Sequence, residues 1–373
     1  MDRRYDASLQ PASVRFLPGE PRFLPRNRRW QGIASMTRTS AGTLYAVFYS
    51  GGVTEQQGNY CVLSRSDDDG LHWCDPFCVV DHPSEQVRCF DPNVWTDPMG
   101  RLWLFWTQSY GFYDGRSGVW CAVSSDPDAP CPHFSAPRRI ADGLMMNKPT
   151  VLRDGGWLLP IAVWDCMAAT IPLGTPDNKY PVPRASGVYL SRDAGETFAF
   201  LGGADVPNRG FDEHMVVERR DGSLWMLVRR LDGVGESFSF DGGQSWTPGE
   251  KSPIEGPGSR FFIRRLRSGR LLLVNHFRFQ GRNNLTALLS EDDGQTWKGG
   301  LLLDERIEVS YPDGVETEDG RIYVIYDHKR YHAREVLMSV FREEDVLAGA
   351  PVTADVRLRV PVSKASGPMT VDI

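Results

Sequence analysis

Short apolar and aromatic runs, separated by glycine, proline, aspartate and serine, fill this chain, and long helical periodicity is nearly absent. That pattern predicts short β-strands joined by hairpins. A glycine leading into an apolar strand recurs six times: GTLYAVFYS from Gly42, GRLWLFWTQ from Gly100, GGWLLPIAV from Gly155, GSLWMLVRR from Gly222, GRLLLVNHF from Gly269 and GRIYVIYDH from Gly320. The intervals are 58, 55, 67, 47 and 51 residues. A shorter β-like run precedes each glycine, and four of the glycines follow Asp or Ser, as a hairpin turn prefers. DVLAG, from Asp345, is the one short helical candidate.

A second repeat is locked to the first. Ser-x-Asp-x-Gly-x-x-Trp occurs at Ser66–Trp73, Ser239–Trp246 and Ser290–Trp297, and a fourth copy, Ser191–Phe198, ends in phenylalanine. Ser124, Ser125 and Asp126 begin a decayed copy. Such a turn uses Asp to bind backbone N–H groups, Gly to take positive φ and the aromatic to plug the core, so these are structural elements.

Six units of about 50 residues, each with room for four strands, predict an all-β chain folded as a single six-bladed β-propeller domain over residues 1–373. The tail from Pro351, PVTADVRLRV, alternates like a strand and is expected to close the ring with an N-terminal strand. Pro172 to Pro183, in the longest interval, reads as a surface loop.

Charge and composition narrow the partners. A net charge of −6 and a pI near 5.7 argue against nucleic acid or a membrane surface, and no apolar run is long enough to span a bilayer. The N-terminus lacks an apolar signal core, so a cytoplasmic location is expected. All seven cysteines (Cys61, Cys74, Cys78, Cys89, Cys121, Cys131, Cys166) fall in one stretch without paired spacing, which predicts thiols rather than a disulfide framework. No ligand spacing supports a metal, and no cofactor is implied.

Candidate chemistry gathers where inner strands should begin. In FDEHMVVERRDGSLWMLVRR, Phe211 to Arg230, a turn at Asp221-Gly222 joins two β-patterned runs, placing Glu213 and Arg229 at one end of a hairpin. Counting nine residues back from four repeat glycines gives Asp91, Glu213, Arg260 and Tyr311. The third unit offers Met146 with Asn147 and Lys148, and the first offers Arg29 and Gln31. Acid, base and several arginines converging on one channel mouth suit an anionic small substrate. Trp30 and Trp95, near inner-strand ends, are candidate sugar platforms; His276 and His328 end repeat strands without a nameable partner.

With Asp-box turns in a six-bladed propeller, nearly the whole chain resembles the sialidase superfamily. FDEHMVVERRDGSLWMLVRR resembles the segment that carries a base and a carboxylate-binding arginine, which implies Glu213 and Arg229 in those roles. GRNNLTALLSEDDGQTW resembles the segment of another such arginine, implying Arg282, with Arg278 and Arg260 as rivals. VSYPDGVETEDGRIYVIYD resembles the nucleophile segment, implying Tyr311 as catalytic tyrosine. A neutral phenol beside a carboxylate meets less repulsion from an anionic sugar than a carboxylate nucleophile would. The chain departs from the family at two places. Gln31 stands where its first arginine is expected, with Arg29 a shifted substitute, and VTEQQGNY holds no aspartate, leaving Glu55 or Asp91 as the acid/base.

Three functions follow. The first is a retaining exo-glycosidase removing sialic acid or a related acidic sugar from a glycan or oligosaccharide. The second is a lyase or other glycosidase acting on uronate-containing glycans, with His214 and Tyr311 as acid and base. The third is a non-catalytic glycan-binding propeller. Oligomeric state is left open, a homo-oligomer included.

Overall fold

All six predicted hairpins turn the same way. In the computed structural model, which describes residues 7–16, 19–110, 117–164, 183 and 185–369, Gly42, Gly100, Gly155, Gly222, Gly269 and Gly320 all have φ between 80° and 106°. Each glycine N–H bonds the carbonyl three residues back, whose own N–H closes the hairpin one residue after the glycine, as in Gly222 to Arg219 at 3.0 Å and Arg219 to Ser223 at 2.8 Å. This is the three-residue hairpin with a left-handed glycine at the end of its turn.

Six antiparallel sheets result, each drawn from consecutive strands. Blade one holds Gln31–Arg38, Leu44–Ser50, Tyr60–Ser66 and Cys78–Asp81. Blade two holds Val87–Thr96, Leu102–Tyr110, Gly118–Ser124 and Arg138–Asp142. In blade three the first strand is broken into Leu144–Met145 and Thr150–Val151, ahead of Trp157–Ala162, Ser186–Ser191 and Ala199–Ala204. Blade four runs Met215–Glu218, Leu224–Arg230, Gly233–Ser239 and Glu250–Lys251, and blade five Phe262–Arg265, Leu271–His276, Leu285–Ser290 and Lys298–Asp304. Blade six ends the chain with Val309–Glu316, Ile322–His328, Glu335–Phe341 and Arg357–Lys364. The first strands of neighbouring blades touch around the axis, as where Val94 N–H donates to Ser35 Oγ at 3.2 Å and Met36 N–H to Asp313 Oδ2 at 2.9 Å. The short helix anticipated near Asp345 is Glu343–Ala348, stopped by Gly349 at φ 66°.

The Ser-x-Asp-x-Gly turns join the third and fourth strands of blades one, three, four and five. In every copy the serine hydroxyl accepts the glycine N–H at 2.8–2.9 Å, and the aspartate accepts the N–H four residues on at 2.8–2.9 Å. Two of these glycines also lie against a tryptophan of the preceding blade: a Cβ on Gly195 would sit 2.4 Å from Trp103, and one on Gly294 2.3 Å from Trp225. The repeat thus shapes packing between blades as well as the turn.

Closure differs from expectation. The tail strand Arg357–Lys364 pairs within blade six, and the N-terminal strand Ser13–Phe16 pairs with the outer strand of blade one. Among the described residues no sheet combines the two chain ends. Side chains and loops close the ring: Asp69 of blade one accepts Arg321 at 2.8 Å and Arg357 at 2.7 Å from blade six, and Ser366 N–H reaches the Pro25 carbonyl at 2.8 Å. Six cysteines are free thiols; Cys166 and residues 172–182 of the expected loop lie outside the described residues. No helix among the described residues is long and apolar enough to cross a membrane.

Candidate functional site

The first strands of three blades break register at matching places, between Gly32 and Ser35, Phe90 and Asn93, and Ser310 and Asp313. The residues released there, Ile33, Asp91 and Tyr311, take φ of 54°, 47° and 58°. Asp91 and Tyr311 each precede a proline, which has no N–H to give the ladder. Met146 falls in the gap of the blade-three strand, and Glu213 and Arg260 stand just before the ladders of blades four and five. The residue nine before the repeat glycine therefore lies off the ladder in all six blades. Left-handed backbone at β-branched and aromatic residues is costly, and such strain collects at functional sites.

Five of these six side chains, Ile33, Asp91, Met146, Glu213 and Tyr311, line one cavity of about 130 Å³ with Glu55, Arg88, Phe90, Trp164, Phe211 and Arg229. Ile33 is the first-blade member of that register, the place for which the sequence offered Arg29 and Gln31. Arg229 Nη1 lies 2.5 Å from Glu213 Oε1. Burial opposes the Arg229 charge, but Glu213 and then Tyr311 outweigh it and hold its pKa up. Glu213 Oε2 is buried with no hydrogen-bond partner among the described residues. Around the Tyr311 ring stand Arg330 at 4.7 Å, Arg282 at 5.2 Å and Arg260 at 5.4 Å from the centroid. Arg278, a rival for Arg282, is exposed and stacks on Phe277.

Asp91 is fully enclosed. Burial above all pushes its carboxyl up to about 8, against the pull of Arg88, with Glu55 and Glu213 adding to the rise. Glu55, on the loop before Tyr60, pairs with Arg330 Nη1 at 2.8 Å.

Several sequence candidates serve the ring instead of the cavity. Arg260 donates to the carbonyls of Met146 at 2.7 Å, Ala34 at 2.9 Å and Tyr311 at 2.8 Å, stapling blades three, one and six. Lys148 bonds the Gly314 carbonyl at 2.7 Å and Asp313 at 2.9 Å, and Asn147 the His214 carbonyl at 3.0 Å. Gln31 is spent on the Arg334 carbonyl at 2.8 Å and Ser363 at 3.2 Å. Both ring nitrogens of His214 face carbonyl oxygens, Asp212 at 2.6 Å and Gly187 at 2.7 Å, leaving neither for a substrate. Arg29 is outside the cavity lining. Trp30 is wholly buried in the core, and Trp95 packs edge-on against Trp157. His276 bonds the Asn283 carbonyl at 2.7 Å and His328 pairs with Glu335 at 2.8 Å.

Five cavity residues escaped the sequence reading: Ile33, Arg88, Phe90, Trp164 and Phe211. Trp164 and Phe211 form an aromatic corner 5.1 Å apart, and Arg88 lies over Phe90 at 3.9 Å. Arg88 could have been found, because it precedes Asp91 on the same inner strand. A second opening of about 800 Å³ lies at the other ends of the inner strands, lined by Lys148, Trp95, Arg264 and Glu316 among others, and holds neither Tyr311 nor Glu213. No group of three metal-ligating side chains occurs among the described residues.

The architecture has known counterparts. A Hadza microbial sialidase, Hz136, matches 85% of this chain and 66% of its own at 20% identity and a TM-score of 0.67. This chain thus spans just under two thirds of that protein. A leech intramolecular trans-sialidase, solved with 2,7-anhydro-Neu5Ac, matches 91% and 71% at 13% identity and a TM-score of 0.67. A Dyadobacter fermentans protein of unknown function matches 88% and 98% at 17% identity and a TM-score of 0.65. At these identities the likeness shows the fold, a sialidase-like propeller. No curated protein matches in sequence. The model of the BNR repeat-like domain matches residues 42–324, from the first repeat glycine into the last repeat strand. With six in-register hairpins and four Asp-box turns on the same stretch, this chain belongs to the BNR repeat-like domain family.

Proposed function

We propose that the protein is a retaining exo-glycoside hydrolase that removes a terminal acidic sugar, sialic acid or a close relative, from a glycan. The observation that carries this reading is the cluster of Tyr311, Glu213 and Arg229 in one cavity, with the Glu213–Arg229 pair beside a strained tyrosine. The Tyr311 phenol oxygen attacks the anomeric carbon as Glu213 accepts its proton through the unpartnered Oε2. Asp91, protonated at neutral pH, donates to the departing glycosidic oxygen. Water then attacks the tyrosyl–sugar bond, Asp91 taking its proton and Glu213 returning one to the phenolate. Asp91 is preferred to Glu55 as the acid because it is enclosed in the cavity and keeps its proton at neutral pH, whereas Glu55 is a part-exposed residue of a surface loop.

The arginines favour one class of acidic sugar. Arg330 and Arg282 lie within 5.2 Å of the Tyr311 ring, so the carboxylate they bind sits beside the reacting carbon. A 2-ulosonic acid carries its carboxylate on that carbon; a uronic acid carries it across the ring. Hydrolysis of an aryl α-sialoside by wild type, Tyr311→Phe and Glu213→Gln tests the reading. Turnover that both variants lose supports it. A wild type that is inert on this substrate and on aryl uronides, yet binds the free acids, points to the non-catalytic glycan-binding reading.

A further inference from the structure

The cavity is positive. The guanidiniums of Arg88, Arg229, Arg260, Arg282 and Arg330 surround it or the Tyr311 ring, against the carboxylates of Glu55, Glu213 and Asp327, while Asp91 keeps its proton. Most of these charges are committed. Glu213, its side chain 1% exposed, is held by Arg229, and Arg260 is fixed to three backbone carbonyls. Asp327 is engaged by Ile33 N–H at 2.8 Å and Ser310 Oγ at 2.9 Å.

Arg330 is placed differently. Its guanidinium lies over the Tyr311 ring, and its close partner, Glu55, comes from a surface loop with its side chain 24% exposed. Asp327 is 3.8 Å from Arg330 Nε and is tied down by its own bonds. The passage for Arg330 is built into blade one: a Cβ on Gly32 would stand 2.2 Å from Arg330 Cδ and 2.7 Å from Cγ. We propose that Arg330 is the cation through which this cavity recruits an anionic ligand, the Glu55 carboxylate holding its place until the ligand's carboxylate replaces it. The exchange swaps one carboxylate for another beside Tyr311 and returns Glu55 to water, where rotation of an already part-exposed side chain suffices. Glu55 thereby acts on affinity in the sense opposite to Arg330.

This inference rests on the acidic-sugar reading above. Calorimetric titration with N-acetylneuraminate and glucuronate, each beside its methyl ester, tests both. Wild type is expected to prefer one acid over its ester. Glu55→Gln binds that acid several-fold more tightly, because Arg330 loses its resident competitor. Arg330→Gln binds it roughly 10-fold or more weakly and no longer separates acid from ester. Gly32→Ala, which drives Arg330 aside, repeats that loss. A structural ion pair would weaken binding, or leave it unchanged, in Glu55→Gln, and that result overturns the proposal; a gain in affinity cannot arise from misfolding. Acid preference that survives in Arg330→Gln sinks this inference alone. A wild type without acid preference removes the acidic-sugar reading and this inference together.

Discussion

Glu213 spends one carboxylate oxygen on Arg229, at 2.5 Å, and keeps the other buried and unpartnered among the described residues. Glu213 stands two residues before the Met215–Leu227 pair and Arg229 two residues after it, so the hairpin brings both to the same end, where the side chains meet off the ladder. A buried carboxylate with an open acceptor is costly as architecture and useful as a base. Glu213→Gln should lower kcat by about 10²–10⁴-fold with circular dichroism unchanged. A variant within tenfold of wild type would remove Glu213 from the base role.

Asp91 predicts two pH effects with one sign. Its carboxyl is near 8 in the folded protein against an ordinary value of 3.8, so the native state holds a proton that the unfolded chain gives up in between. The stability this contributes is complete below about pH 4 and is lost as pH rises toward 8. Melting temperature should therefore fall more steeply from pH 5 to 8 in wild type than in Asp91→Asn. With Asp91 as the acid, kcat/KM should also fall above pH 8, and Asp91→Asn should lose most turnover without that limb. Parallel melting curves for the two proteins would contradict the shift.

Arg260 was a candidate for substrate binding, and its three carbonyl bonds make it a structural staple. Arg260→Met leaves those acceptors buried and unmet, at a cost of about 3 kcal/mol or more. Urea unfolding measures it. A loss under about 1 kcal/mol would mean that water replaces the guanidinium.

Two glycines separate backbone freedom from space. Gly222 has φ 88° and nothing within 4 Å of where a methyl group would stand, so Gly222→Ala should cost only the conformational penalty, about 1 kcal/mol. Gly195, at φ 87°, faces Trp103 at 2.4 Å, and Gly195→Ala should cost clearly more. Equal unfolding energies for the two variants would show that Trp103 yields freely.

The fold was legible because every blade repeats its turn chemistry: a left-handed position at φ 80–106° favours glycine in each copy, and the sequence displays it. The nine-residue offset carried over for Asp91, Glu213 and Tyr311 because the hairpin fixes that distance along an extended chain. It misled at Arg260, where position alone cannot tell an arginine turned to backbone carbonyls from one turned to solvent. Arg330 was hidden for another reason. It enters from a loop in blade six, and the mark of its path is a glycine in blade one, nearly three hundred residues earlier in the chain. Ring closure was misjudged because an alternating tail shows that it is a strand, and nothing about which edge it joins.

Since each sheet is one uninterrupted length of chain and the segments around Pro25 and Ser366 meet, the order in which blades are translated is separable from the ring they form. A linker from the segment at Ser366 to the strand Ser13–Phe16, with the chain started between Ala204 and Met215, would cut no sheet. Such a circular permutant would be born with blade four first and would make the present seam an ordinary internal joint, so the ring has no privileged beginning.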